Sequence, residues 1–152
     1  MITIGWREWV SLPDLGVTTV KAKVDTGART SSLHTASVEP FSEAGRQRVR
    51  FVLHPLQETT DVELVCEADV VDFRTITNSG GASEERYVIR TPIRIGTQVW
   101  PIEVSLANRE TMTFRMLLGR TALRDHVLIH AGRSYLTGIR HHHAYDGVES
   151  HP

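Results

Sequence analysis

An all-β domain, built as a small closed or semi-closed barrel, is the fold class that this sequence predicts. Three observations lead there. Apolar residues recur at every second position in several runs, turn-forming residues interrupt those runs at short intervals, and helical periodicity is scarce. Taken in order, Leu12-Pro13-Asp14 reads as a turn, and Val20, Ala22 and Val24 then alternate with Lys21 and Lys23 as one half-buried strand. "ADVVDF" around Val70 and Val71 reads as another strand, "NSGGAS" from Asn78 to Ser83 as a hairpin tip, and Ile93 and Ile95 flank Arg94 in the returning arm. Ile95-Gly96-Thr97 turns the chain into a strand carrying Val99, Ile102, Val104 and Leu106. The whole reads as a succession of hairpins. One short helix is expected after Gly119, where "RTALRD" contains good helix formers and sets Ala122 and Leu123 near Leu118. From Arg140 onward "RHHHAYDGVESHP" lacks apolar periodicity, so residues 1–139 are expected to form the domain and 140–152 a flexible, His-containing tail.

Composition narrows the function classes. A chain of 152 residues suits one domain with a sizeable core. Seventeen Lys and Arg against eighteen Asp and Glu leave a formal net charge of -1, so no global field draws the protein to nucleic acid or a membrane. Electrostatic specificity must therefore be local. The single Cys66 cannot build a disulfide framework, fits a reducing compartment, and is expected in the core rather than as a nucleophile. "MITIGWREWV" lacks the basic segment and apolar run of a signal peptide, and no run of about 20 apolar residues follows, so a cytoplasmic location is expected.

Asp25-Thr26-Gly27-Ala28 ends the Val20–Val24 stripe with an acid, a hydroxyl and a permissive backbone. This places a carboxylate at the mouth of a rigid strand, where Gly27 is expected to allow a turn closed to other side chains; an ordinary turn would use the same residue types. A second segment, "FRMLLGRTAL" from Phe114 to Leu123, runs apolar into Leu117-Leu118-Gly119 and then Arg120. These two motifs, in this order, resemble the retropepsin-like aspartic proteases. "VSLPDLGV", "KAKVDTGARTSSLHT", "EERYVIRTPIRIG" and "FRMLLGRTAL" are more closely similar to a bacterial family labelled ATP-dependent zinc proteases, which accompanies RimK-type ATP-grasp glutamate ligases. Ser32 and Thr35 stand where that family often carries Ala.

The resemblance implies an aspartic peptidase with Asp25, Thr26 and Gly27 as its catalytic loop. Such chemistry needs two carboxylates sharing a proton. Asp-Thr-Gly occurs once here, so the resemblance implies a homodimer with one Asp25 from each chain, Thr26 locking the loops together and Gly27 letting them approach. A guanidinium beside a carboxyl favours its ionised form, so Arg29 is expected to point away, into a substrate pocket or a structural ion pair. The hairpin with Gly80 and Gly81 at its tip is expected to fold over substrate as a flap; an exposed turn is the alternative. Ala28, Arg29, Arg74, Arg86, Tyr87 and Arg120 are expected to line the substrate site, where several arginines would favour acidic peptides. Any of these arginines could instead pair with Asp72, Glu84 or Glu85 on a solvated face. The link to a glutamate-adding ligase points to a glutamate-rich tail as substrate.

No cofactor or metal is expected. The chain has no His-Glu-x-x-His, and His126 and His130 bracket an apolar "VLI" that reads as strand, about 13 Å apart. His34 reads as a packed residue, and His141, His142 and His143 fall in the tail. There is no phosphate-binding Gly-x-x-x-x-Gly-Lys loop, so any ATP dependence would belong to a partner. Two other readings stay open: a non-catalytic peptide-binding or dimerisation module on the acid-protease fold, and a zinc metalloprotease.

Overall fold

The computed structural model describes residues 1–56, 59–77, 80–108 and 114–138. Its strands are β1 (Ile2–Gly5), β2 (Arg7–Leu12), β3 (Val17–Val24), β4 (Ser31–His34), β5 (Ser37–Glu43), β6 (Arg46–Leu53), β7 (Leu64–Thr77), β8 (Ser83–Ile95), β9 (Gln98–Ala107), β10 (Met116–Leu118) and β11 (Val127–His130). The expected helix is α1 (Arg120–Leu123), which buries Ala122 and Leu123. Leu12-Pro13-Asp14 enters a single 3-10 turn over Pro13–Leu15, closed by Gly16 at a φ of 72°.

The barrel closes. Strands pair in the order β2-β3-β10-β4-β9-β8, and Ser11 of β2 opposite Arg94 of β8 completes a ring of six. β7, β6 and β5 continue outward from β8, and β1 pairs with β11 in a separate two-stranded sheet. Antiparallel neighbours bear out much of the hairpin reading, but β10 runs parallel to β3 and β4 runs parallel to β9. Parallel pairs require distant crossovers, which a succession of hairpins does not contain.

The core follows the period-two faces. Val20, Ala22, Ile93, Ile95, Ile102, Val104, Leu106, Met116 and Leu118 point inward, each large side chain contributing about 1.5–3 kcal/mol by burial. Val99 corrects the expected β9 stripe. It is 55% exposed while Trp100 is 7% exposed, because 99 has the opposite parity to 102, 104 and 106. Around Val70 a β-bulge separates Val70 from Asp72, leaving Val70 partly buried and Val71 exposed. Ser32 and Thr35 are buried with hydroxyls that find no hydrogen-bond partner among the described residues. Cys66 is core, as expected: it lies 3.4 Å from the Leu15 carbonyl oxygen, and burial pushes its thiol up to about 11. No helix among the described residues is long and apolar enough to cross a membrane.

Candidate active site

β3 delivers Asp25 just past its last residue, and the backbone fixes it there. Val24 pairs with Leu118 in parallel register, the Asp25 N–H donates to the Leu118 carbonyl (2.9 Å), and the Val24 N–H donates to the Trp6 carbonyl (2.9 Å). Within the loop, the Ala28 N–H donates to the Asp25 carbonyl (3.1 Å) and the Gly27 N–H to Asp25 Oδ1 (3.1 Å). The carboxylate is half-buried, and Thr26 and Gly27 are exposed beside it. Gly27 is a correction. The turn was expected to be closed to other side chains, but its φ lies outside the left-handed region; a Cβ there would stand 3.3 Å from Asp25 Oδ1, so what the glycine supplies is room beside the acid.

The Leu-Leu-Gly segment packs against this loop. At Gly119 a Cβ would lie 2.7 Å from the Thr30 carbonyl carbon and 2.9 Å from the Ser31 nitrogen, so only glycine admits this approach. The Gly119 N–H donates to Ser31 Oγ (3.0 Å), and the Arg120 N–H to the Ala28 carbonyl (2.8 Å). Gly119→Ala is therefore expected to cost about 1–3 kcal/mol, lowering the melting temperature by roughly 3–10 °C. A melting curve superimposable on wild type would show that the two backbones can part freely.

Arg120 anchors the loop from outside. Its Nη1 donates to the carbonyls of Thr26 (3.0 Å) and Gly27 (3.1 Å), the two residues after the acid. Since both acceptors are neutral, the guanidinium keeps its net charge at the mouth of the site.

A cleft of about 290 Å³ opens beside the loop, lined by Gly27, Ala28, Arg29, Arg74 and Arg120 together with Thr75–Thr77 of the β7 arm. The hairpin thus lies against the acid loop. Its tip turns at Gly81, with a φ of 87°, while residues 78 and 79 lie outside the described residues. Arg29 is exposed, lines the cleft, and forms no ion pair with Asp25 or any other described residue. Arg74 is paired instead, with Asp72 (2.8 Å) and Glu103 (3.2 Å). Burial works against its charge, yet hydrogen bonds to Asp72 and Glu103 raise its pKa above the ordinary arginine value.

Two expected lining residues stand apart from the cleft. Arg86 faces Arg74 in the β7–β8 register but is buried and ion-paired with Glu84. Tyr87 stacks on Phe73 with ring centroids 4.6 Å apart. Glu103, which no local pattern singles out, enters through its pairing with Arg74 across the sheet.

Glu8 is the residue that sequence reasoning missed. It is fully buried, and its carboxylate accepts the N–H groups of Gly5 (2.7 Å), Leu136 (2.8 Å) and Thr137 (3.1 Å) and the Thr137 hydroxyl (2.8 Å). A signal existed: Glu8 shares the parity of Val10 and Leu12 on the inward face of β2.

Among the described residues the histidines do not gather into a metal set. His126 precedes β11 and stacks on Trp100 at 4.5 Å, His34 is buried in β4, and residues 141–143 lie outside the described residues. Among the described residues no three His, Cys, Asp or Glu side chains stand together as metal ligands.

A closed mixed barrel in which Asp-Thr-Gly follows the first long strand, braced by a late Leu-Leu-Gly segment and flanked by the arm of a hairpin, is the architecture of the retropepsin-like class. The family model described as RimB-like, retropepsin-like aspartic endopeptidase RimB, matches residues 3–140, and the chain belongs to that family. A crystal structure of a Legionella pneumophila protein of unknown function (DUF785) shares the fold with a TM-score of 0.73 and 27% identity, over 90% of this chain and 98% of that one. Among curated relatives, a "Probable alpha-L-glutamate ligase" of Shewanella pealeana is 46% identical over 135 residues, 89% of this chain and 30% of its own length. A protein of the same description from Desulfotalea psychrophila is 47% identical over 126 residues, 83% of this chain and 27% of its own length. The chain therefore spans less than a third of these relatives.

Proposed function

We propose that two copies of this chain form an aspartic peptidase in which Asp25 of each meets across a two-fold axis, acting on acidic, glutamate-rich peptides. The observation that carries this reading is a single half-buried carboxylate, fixed by backbone hydrogen bonds at a strand end beside an arginine-lined cleft. One carboxylate, ionised, takes a proton from a water molecule as its oxygen attacks the scissile carbonyl carbon. The other, protonated, donates to the carbonyl oxygen. Collapse of the tetrahedral species then breaks the C–N bond as the leaving amine takes up a proton. Two carboxyls brought together across the axis would favour a single shared proton, which is what the reaction requires. Exposed Thr26 and Gly27 leave the loop open to a symmetry mate.

The substrate class rests on charge. Arg29 and Arg120 bring cationic groups to the cleft without a carboxylate partner among the described residues, whereas Arg74 is neutralised by Asp72 and Glu103. The glutamate-ligase description of the relatives fits the same chemistry and suits a functional link to an ATP-grasp ligase. Short poly-glutamate peptides are expected to be cleaved in preference to neutral peptides of equal length. Arg29→Gln should lower kcat/KM on the acidic peptide about 10- to 100-fold, the loss of a charge-assisted hydrogen bond, with little change on the neutral one. Equal cleavage of both peptides by the wild type would count against the assignment.

A further inference from the structure

We propose that Arg120 is a positioning residue that acts on Asp25 through two intervening peptide bonds, Thr26–Gly27 and Gly27–Ala28. Its consequence for catalysis rests on the aspartic-peptidase reading; the placement of the carboxylate does not.

One nitrogen, Arg120 Nη1, donates to the carbonyls of Thr26 (3.0 Å) and Gly27 (3.1 Å). Each of these carbonyls shares its peptide plane with the N–H of the following residue. Among the described residues no peptide bond is cis, so C=O and N–H point to opposite sides of each plane. On the far side both N–H groups end on Asp25: that of Gly27 donates to the carboxylate at Oδ1 (3.1 Å), and that of Ala28 to the main-chain carbonyl (3.1 Å). A single cation thus draws on two parallel peptide dipoles whose positive ends both face the acid. Hydrogen bonds in series polarise one another, and a charged donor at the head of the series strengthens it. The guanidinium therefore reaches the carboxylate electrostatically without touching it.

The neighbouring carbonyls are held differently. That of Ala28 accepts the Arg120 N–H (2.8 Å), and that of Arg29 accepts the Thr121 N–H (3.1 Å) and hydroxyl (2.9 Å). Residues 120 and 121 thus satisfy every carbonyl from Thr26 to Arg29, but only the first two, which lead to Asp25, depend on a side-chain charge. Loss of that charge leaves the other bonds in place, so the loop should stay attached while the carboxylate loses its orientation. Arg120 is exposed and opens α1, which suits a side chain that can be replaced without disturbing the core.

Backbone-amide NMR of the full chain reads the placement without any substrate. The Gly27 amide proton is expected to move upfield in Arg120→Met, as it does when Asp25→Asn removes the charge of its acceptor, and Arg120→Lys, which keeps a cation, is expected to lie between Arg120→Met and wild type. Arg120→Gln removes the charge with a smaller change of shape and serves if Arg120→Met fails to fold. In peptide hydrolysis kcat is expected to fall about 10- to 100-fold in Arg120→Met, on acidic and neutral peptides alike, with KM for the neutral peptide unchanged and partial rescue by Arg120→Lys. An Arg120 that serves only the cleft would raise KM for the acidic peptide alone, and one that serves only stability would leave both constants unchanged below the melt; either result would overturn the proposal, as would a Gly27 amide at its wild-type position in Arg120→Met. Wild-type protein that cleaves no peptide would sink the peptidase reading instead, and the Gly27 amide would then decide the placement by itself.

Discussion

Asp25→Asn is expected to abolish peptide hydrolysis, lowering kcat by about 10³-fold or more, while the barrel stays folded. The asparagine is nearly isosteric, and its Oδ1 can still accept the Gly27 N–H that Asp25 accepts at 3.1 Å. The Asp25 N–H to Leu118 bond is made by the backbone and is indifferent to the side chain. Stability should therefore change by no more than about 0.5 kcal/mol. Chemistry should vanish because an amide neither takes a proton from water nor gives one to a carbonyl. Turnover assays beside thermal melts check this directly. Full activity in a well-folded variant would exclude Asp25 as the catalytic acid, and peptide binding without turnover in the wild type would favour a non-catalytic module.

Glu8→Ala is expected to have the largest effect on stability, about 3–5 kcal/mol, or roughly 10–15 °C in melting temperature. The carboxylate gathers three backbone N–H groups and a hydroxyl, and truncation strands them in a fully buried position. Each orphaned donor costs about 1–3 kcal/mol, against a typical total stability of about 5–15 kcal/mol. The damage should reach the site. Glu8 clamps the 136–137 segment to Gly5, the adjoining Trp6 N–H donates to Arg133, and the Trp6 carbonyl accepts the Val24 N–H next to Asp25. Loss of activity is thus expected at temperatures below the melt. A melting temperature within about 2 °C of wild type would mean that water satisfies these donors and that the clamp is dispensable.

These effects divide along the line between local and distant information. The alternation ending in Asp25, the Gly81 turn and the α1 residues were legible because each depends on neighbours in sequence. Gly27 was legible as a special position but not for its reason, since the crowding that a Cβ would meet there is with a side-chain oxygen, 3.3 Å away, and does not come from its own φ. Gly119 was recognised by resemblance, yet its cause is a backbone 88 residues away in sequence, at Ser31. Arg120 was expected at the substrate; it lines the cleft and also holds carbonyls of the acid loop, a second role set by the β3–β10 pairing that no periodicity reveals. Glu8 was visible in parity alone. Its partners, Leu136 and Thr137, lie 128 and 129 residues away, and a buried acid is legible only when its donors are known.

The central claim is that one chain holds half a site, and subunit mixing tests it most directly. A fixed amount of wild-type protein is equilibrated with about a tenfold excess of Asp25→Asn chains, and acidic-peptide hydrolysis is measured. Random pairing should place most wild-type chains opposite an asparagine and cut activity to about a tenth. Activity that remains at its starting level after full exchange would mean that a single chain carries the complete machinery, and the paired-carboxylate mechanism would be wrong.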